Sequence, residues 1–326
     1  MKHTLLASLL VAASIGIATA ADFTMRLSHQ LPPTHHIAQT LDRFAEDVAR
    51  ETGNRVEVQI FGAEQAFRAA QNHAAVARGQ VEAAVVTNFQ WGGTLPEMNV
   101  MTLPYFMTDL DRLQRFPGSE AARMLEAKLL EKGVRNIAWL YTTRQSIFTS
   151  NAKPLVQTSD FAGKKIRGLS RLVDEAFVAV NAAPATMPGS EVYQALQTGV
   201  IDAGLTDVSA GYSRRFYEVQ KYGTVTPFFA VYFHLFVTPT WWDRLPDDVR
   251  AGIERAAAKA EQDVIAVTEA TAEQAITQLQ EKGMVLHLQT AEEAEVWKAA
   301  MQPPVLEAFR ALGDDAAKLV ELIENL

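Results

Sequence analysis

Apolar residues alternate at Phe23, Met25 and Leu27, recur at Ile37, Leu41, Phe44 and Val48 up to Gly53, and alternate again at Val56, Val58 and Ile60. The first and third stretches have the period of a strand, the second that of a helix. Residues 64–78 read as a further helix stopped by Gly79, and Val81 to Val86 as a buried strand, which completes a βαβαβ unit. The same order returns after Gly163. Lys164 to Arg167 is a short strand, and Leu172, Ala176, Phe177 and Val180 recur at helical spacing. Ala185 to Met187 is extended and closed by Pro188. Ser190 as N-cap, with Glu191 in the first turn, opens a helix that stops at Gly199, and Ile201 to Leu205 is the third strand. RGQVEAAVVT from Arg78 and TGVIDAGLTD from Thr198 share one pattern of helix end, glycine, spacer, apolar, acid, alanine, small and apolar residues. Either the chain repeats an α/β plan, or the match reflects how all helix–glycine–strand junctions look. The first alternative predicts two lobes around a cleft.

The remaining pattern fills in around these units. Residues 88–107 are punctuated by Gly and Pro and rich in aromatics; Phe89 and Trp91 follow a strand's carboxyl end, where they either line a pocket or pack beneath a loop. A helical stretch interrupted at Pro117-Gly118 runs to Lys132, Val134 to Tyr141 is a strand, and Arg144 lies just beyond it. Thr149-Ser150-Asn151 reads as a turn. Val231 to Val237 is apolar and extended. From Asp247 to about Lys282 only Gly252 interrupts helix-forming residues, which predicts one helix of unusual length, and 290–326 reads as an amphipathic covering helix.

Length allows two domains. The formal charge of −8 disfavours nucleic acid or an anionic membrane surface as partner. Cysteine is absent, which excludes disulfides, thiolate metal sites and thiol catalysis. At the amino end Lys2, the apolar run Leu5 to Ile17 and Ala18-Thr19-Ala20 form an export signal with an A-x-A cleavage site, so residues 1–20 are expected to be removed. The mature chain then has 29 basic and 38 acidic residues, a net −9, and is expected in the periplasm without stable membrane insertion. G-x-S-x-G, G-x-x-x-x-G-K, H-E-x-x-H and G-x-G-x-x-G are all missing, so no enzyme is expected. His29, His35 and His36 share a loop whose spacing fits no metal pattern; neither metal nor cofactor is expected.

Arg167 ends a strand of an α/β unit, where such units bind ligands. A guanidinium there can hold a carboxylate through two parallel hydrogen bonds. The surrounding segments GKKIR, SEVYQALQTGVIDA and FYEVQKY, in this order and spacing, resemble the dicarboxylate-type solute-binding proteins of TRAP (tripartite ATP-independent periplasmic) transporters. Trp241-Trp242-Asp243-x-Leu-Pro looks like that family's entry to a helix crossing both lobes. The resemblance implies a two-lobed α/β periplasmic-binding-protein fold, with lobe I from 21–143 and 230–268 and lobe II from 144–229 and 269–326. It also implies a non-catalytic receptor for a small organic acid, which it hands to the transporter's membrane subunits. Arg167 matches the family's carboxylate-gripping arginine, Arg144 a second cleft arginine, Gln71 a polar contact from the first lobe, and His35 a histidine at the cleft edge. The pattern departs at Thr206 and Asp207, which take the places of an asparagine and a proline. Asp207 either pairs with Arg144, accepts hydrogen bonds from ligand hydroxyls, or caps a helix before Ser209. An ABC-type binding protein and, further off, a secreted hydrolase are the alternative readings.

Overall fold

The structure is a computed structural model that describes residues 21–326; the expected export signal lies outside the described residues. Eleven strands follow one another as β1 (Phe23–His29), β2 (Val56–Phe61), β3 (Ala83–Thr87), β4 (Arg135–Thr143), β5 (Ser146–Ser150), β6 (Lys165–Gly168), β7 (Ala183–Thr186), β8 (Ala203–Asp207), β9 (Tyr222–Thr226), β10 (Val231–Val237) and β11 (Val285–Leu288). They form two sheets, ordered β2-β1-β3-β10-β4 and β11-β9-β5-β8-β6-β7. In each sheet a parallel α/β core (β2-β1-β3, and β7-β6-β8) is extended by an antiparallel neighbour, β10 or β5. The chain passes between the sheets after β4, after β9 and through the helix before β11.

The ten-residue match is a repeat in three dimensions. Gly79 and Gly199 both end helices at positive φ, +68° and +72°, a conformation that favours glycine, and the strands that follow are β3 and β8. The shared acid has one job in both halves. Glu82 accepts from the Arg26 backbone N–H at 2.9 Å, and Asp202 from that of Lys165 at 2.9 Å, each tying down the neighbouring parallel strand.

The long helix runs Asp247–Glu281, 35 residues, or about 52 Å at 1.5 Å per residue. Its first half buries Val249, Ile253, Ala256, Ala260 and Val264 in the main core, and its second half buries Ala272, Ala275 and Leu279 in a smaller core under the second sheet. Gly252 lets it approach the end of helix His36–Glu51, since a Cβ there would lie 2.8 Å from the Glu51 carbonyl oxygen. The tail forms two helices. Ala291–Arg310 buries Trp297, Met301, Val305 and Phe309 and packs on helix Arg171–Val178, while Asp314–Glu324 packs on Glu120–Glu131. No helix among the described residues is long and apolar enough to cross a membrane.

Four local expectations differ from the fold. Residues 64–78 hold a short 3-10 turn, Ala69–Gln71, running into the helix Asn72–Ala77, because Ala63 and Glu64 adopt positive φ and break the start. The expected turn at 149–151 begins inside β5, a strand buried at all five positions and therefore lacking alternation. The extended run at 185–187 is displaced to β7. Ser190 is not the cap of helix Gly189–Gln197, which begins after Pro188; its hydroxyl instead donates to Glu64 Oε1 at 2.9 Å, across to the other half.

Candidate functional site

The carboxyl ends of β1, β3, β6 and β8 converge between the two sheets on a small cavity of about 30 Å³. From the second half it is lined by Arg167, Leu169, Gly189, Thr206, Asp207 and Arg214. The first half contributes Gln30, His35, Thr87, Phe89 and Phe233. Phe89 and Leu169 also face an outer cleft of about 590 Å³ that includes Gln90, Gly93 and Met187, so the two spaces meet at these side chains.

Arg167 is buried at the end of β6. Its Nη1 donates to the Leu205 carbonyl at 2.6 Å, and its Nε and Nη2 donate to the Met187 carbonyl at 3.3 Å each. Of five N–H donors, one on each Nη is left for a ligand. The guanidinium carbon sits 5.8 Å from the Phe89 ring centroid, within cation–π range. Burial, and after it the charge of Arg214, pulls the Arg167 pKa down to about 9, against the opposing pull of Asp207 and Asp174; the group is a cation at neutral pH. Gly168 makes room for the support behind it. A Cβ at that position would be 2.3 Å from Asp174 Oδ2, and the Asp174 carboxylate accepts from Leu169 N and Thr186 Oγ1. Burial pushes the Asp174 pKa up.

Arg214 closes the helix Val208–Ser213 and turns its side chain to the same place. A Cβ on Gly189 would be 3.3 Å from Arg214 Cζ and 3.6 Å from Arg167 Nη2, so both guanidiniums lie against this glycine. The Arg214 side chain makes no hydrogen bond or ion pair among the described residues, and burial lowers its pKa against the pull of Asp207 and Glu64. Asp207 caps that helix: its Oδ1 accepts from Ala210 N at 2.7 Å and from Ser209 Oγ at 2.6 Å. It lines the cavity beside both arginines. Thr206 lines it as well.

His35 caps helix His36–Glu51 through Nδ1, stacks on His36 with centroids 4.7 Å apart, and meets Phe233 edge-on. Burial holds its pKa well below the usual value, and the charges of His36 and Arg214 act the same way, so the ring is neutral. Phe89 is thus in the cavity wall, whereas Trp91 belongs to the core: its Nε1 donates to His234 Nε2 at 2.7 Å. Gln71 is exposed, and its Oε1 accepts from Arg68 N at 3.3 Å. Arg144 does not reach the cavity. Its Nη2 and Nε donate to Glu269 Oε2 on the long helix at 2.8 and 3.1 Å, and the same carboxylate accepts from the Tyr141 hydroxyl. The sequence reading missed Arg214, Gln30 and Gly189. Gln30 stands directly after a strand's carboxyl end, which could have marked it; Arg214 is the first of two adjacent arginines before FYEVQKY, and nothing local tells the buried one from the exposed one.

Residues 27–311 match the family described as bacterial extracellular solute-binding protein, family 7 (DctP). The chain belongs to this family. It is 30% identical over 307 residues to the C4-dicarboxylate-binding periplasmic protein DctP of Rhodobacter capsulatus, covering 93% of this chain and 92% of that one. The DctP of Shewanella loihica is 27% identical over 97% of this chain and 93% of its own. Among solved structures, a TRAP periplasmic solute-binding protein from Sulfurospirillum deleyianum with bound succinate superposes with a TM-score of 0.84 at 26% identity, covering 93% of this chain and 99% of the other. One from Desulfovibrio salexigens with bound orotic acid gives 0.87 at 26% identity, over 93% and 97%. Membership makes the DctP-type chain a non-enzymatic periplasmic receptor of the TRAP class, which sets aside both the hydrolase and the ABC-type readings.

Proposed function

We propose that this DctP-family receptor binds a small organic acid by placing its carboxylate between Arg167 and Arg214, and delivers it to TRAP membrane subunits. One observation carries the reading: two guanidiniums converge on one cavity, and one of them makes no hydrogen bond or ion pair among the described residues. An ion in that position is costly until an anion arrives. The ligands named for similar structures, succinate and orotic acid, are both carboxylic acids, which supports the choice. The second half supplies both cations and the first half supplies neutral polar and aromatic walls. The acid therefore docks on the second half by charge, and closure of the first half over it excludes water. The lobe limits 21–143 with 230–268, and 144–229 with 269–326, are proposed as the moving bodies.

Mass spectrometry of small molecules released from the purified protein, followed by calorimetry with the acid recovered, tests the reading. Arg167→Ala is expected to cost about 2–5 kcal/mol of binding, roughly 30- to 5,000-fold in affinity, because a desolvated carboxylate loses its partner. A folded Arg167→Ala protein that binds within threefold of wild type overturns the contact. The export signal implies a mature chain beginning at Ala21, and amino-terminal sequencing of periplasmic protein that returned Met1 would contradict it.

A further inference from the structure

The cavity has two polar groups from the first half that the protein leaves unused. Gln30 Oε1 and Thr87 Oγ1 belong to residues only 3% and 5% exposed, and neither atom has a hydrogen-bond partner among the described residues. Both amide atoms of Gln90, which faces the outer cleft, are in the same condition. Buried polar atoms are nearly always paired, and leaving one unpaired costs more than a typical hydrogen bond gains. Three such side chains along one path from inner cavity to outer cleft point to a ligand that pairs with them.

Charge narrows the ligand further. The inner wall carries Arg167, Arg214 and Asp207, with His35 neutral, so it presents one net positive charge. A single carboxylate matches that charge. In the outer cleft Arg171 is the one charged residue of the wall among the described residues, and it is exposed, so a second carboxylate there would stay largely with solvent.

Size sets where the polar substituent sits. A space of about 30 Å³ holds about two waters, enough for a carboxylate and the atom next to it but not for the rest of a molecule. The body must pass Phe89 and Leu169 into the outer cleft. Asp207 has only Oδ2 to offer a substituent, because its Oδ1 is committed to Ala210 N and Ser209 Oγ, and a carboxylate oxygen accepts without donating.

We infer that the site selects monocarboxylic acids carrying a hydroxyl or amide group close to the carboxylate, and that Gln30 and Thr87 are the residues that read that group. A hydroxyl both donates and accepts, so it satisfies the Gln30 amide in either orientation and the Thr87 hydroxyl together. A methylene satisfies neither. A second carboxylate finds only Arg171, a solvent-exposed cation whose attraction water screens. The inference rests on the acid-receptor reading above and deepens it.

Paired acids differing at one group test it on the wild-type mature chain: lactate against propionate, pyroglutamate against cyclopentanecarboxylate, and malate against succinate. In calorimetry the first member of each binding pair is expected to bind at least tenfold more tightly, since a site built to pair with a polar group rejects the analogue lacking it. Lactate or pyroglutamate should also outbind succinate. Thr87→Val and Gln30→Leu should each reduce that ratio severalfold, by weakening the first member of a pair more than the second. If a variant melts early, the wild-type ratios decide alone. Acids that bind with equal affinity within every pair, or variants that weaken both members alike, overturn this inference and leave the receptor reading standing. Failure of every acid in the panel to bind overturns both.

Discussion

The guanidinium of Arg214 lies against Gly189 with no hydrogen bond or ion pair among the described residues, while that of Arg144 is held by Glu269, which also accepts from Tyr141. Two arginines of the same half thus do opposite work. Removing Arg144 breaks a part-buried, forked ion pair between the end of β4 and the long helix. Arg144→Ala should cost about 1–2 kcal/mol of stability in urea denaturation and leave acid affinity within threefold. Removing Arg214 takes away a cation that no hydrogen bond or ion pair among the described residues holds, with Asp207 and Glu64 acting on it only through space. Arg214→Ala should therefore leave stability unchanged or raised, yet weaken acid binding tenfold or more by calorimetry. The reverse pattern in the two variants would show that Arg144, not Arg214, meets the ligand. The sequence could not separate them, because burial of an arginine depends on which helix packs over it, and neither flanking pattern records that. Arg167 was singled out for a different reason: it ends a strand of an α/β unit inside the GKKIR segment that resembles the family, and the structure places it in the cavity wall.

β6 shows how an element, rather than a single side chain, builds the site. Only four residues long, it carries Arg167 and is followed by the peptide that the Asp174 carboxylate holds. Gly168 is where that carboxylate passes. A methyl group there would displace Asp174 from Leu169 N and Thr186, so Gly168→Ala is expected to cost about 2–4 kcal/mol of stability and to lower acid affinity by misplacing Arg167. A Gly168→Ala protein with wild-type melting and affinity would show that the surroundings yield freely. At this scale much of the fold was legible. β1 follows from alternation, β10 from an apolar extended run and the helix Asp247–Glu281 from a long stretch interrupted only by Gly252, while the ten-residue match pairs β3 with β8. The misses share a cause. β5 is buried on both faces and so has no alternation, and the helix expected over 64–78 is broken at its start by Ala63 and Glu64 at positive φ, where their backbone N–H groups bond to the distant carbonyls of Leu31 and His29. Ser190 carried a capping signature, but tertiary contact with Glu64 claimed its hydroxyl.

Around the cavity and its outer cleft the two halves touch through a few polar contacts, Ser170 to Asn99 at 2.7 Å, Ser190 to Glu64 at 2.9 Å and Ser209 to His36 at 3.4 Å. Ser190→Ala should weaken acid binding about two- to tenfold, the scale of one net hydrogen bond, without touching the ligand. Equal affinity in the two proteins would place closure elsewhere. The buried ionisable groups also give the fold a defined pH response. Burial holds His29 and His36 at a pKa of about 4 and His234 at about 3, all below the ordinary 6.5, with His35 shifted the same way. Their stabilising share is fully present above pH 6.5 and is lost as pH falls toward 4, about 3 kcal/mol at each of His29, His36 and His234. Losses on that scale are a large part of the stability of an ordinary domain, so the urea midpoint is expected to fall steeply between pH 6.5 and pH 4. Glu261 on the long helix has the opposite sign. Burial, with the Glu126 charge adding to it, raises its pKa to about 7, although its Oε1 accepts from the Trp139 backbone N–H. Its share is present below about pH 4.5 and is lost as pH rises through 7. Glutamine keeps the acceptor and never ionises. Between pH 6 and pH 8 Glu261→Gln should therefore gain about 1 kcal/mol on wild type in urea denaturation. Two stability curves that stay parallel over that interval would mean that Glu261 ionises as easily in the folded chain as in the unfolded one.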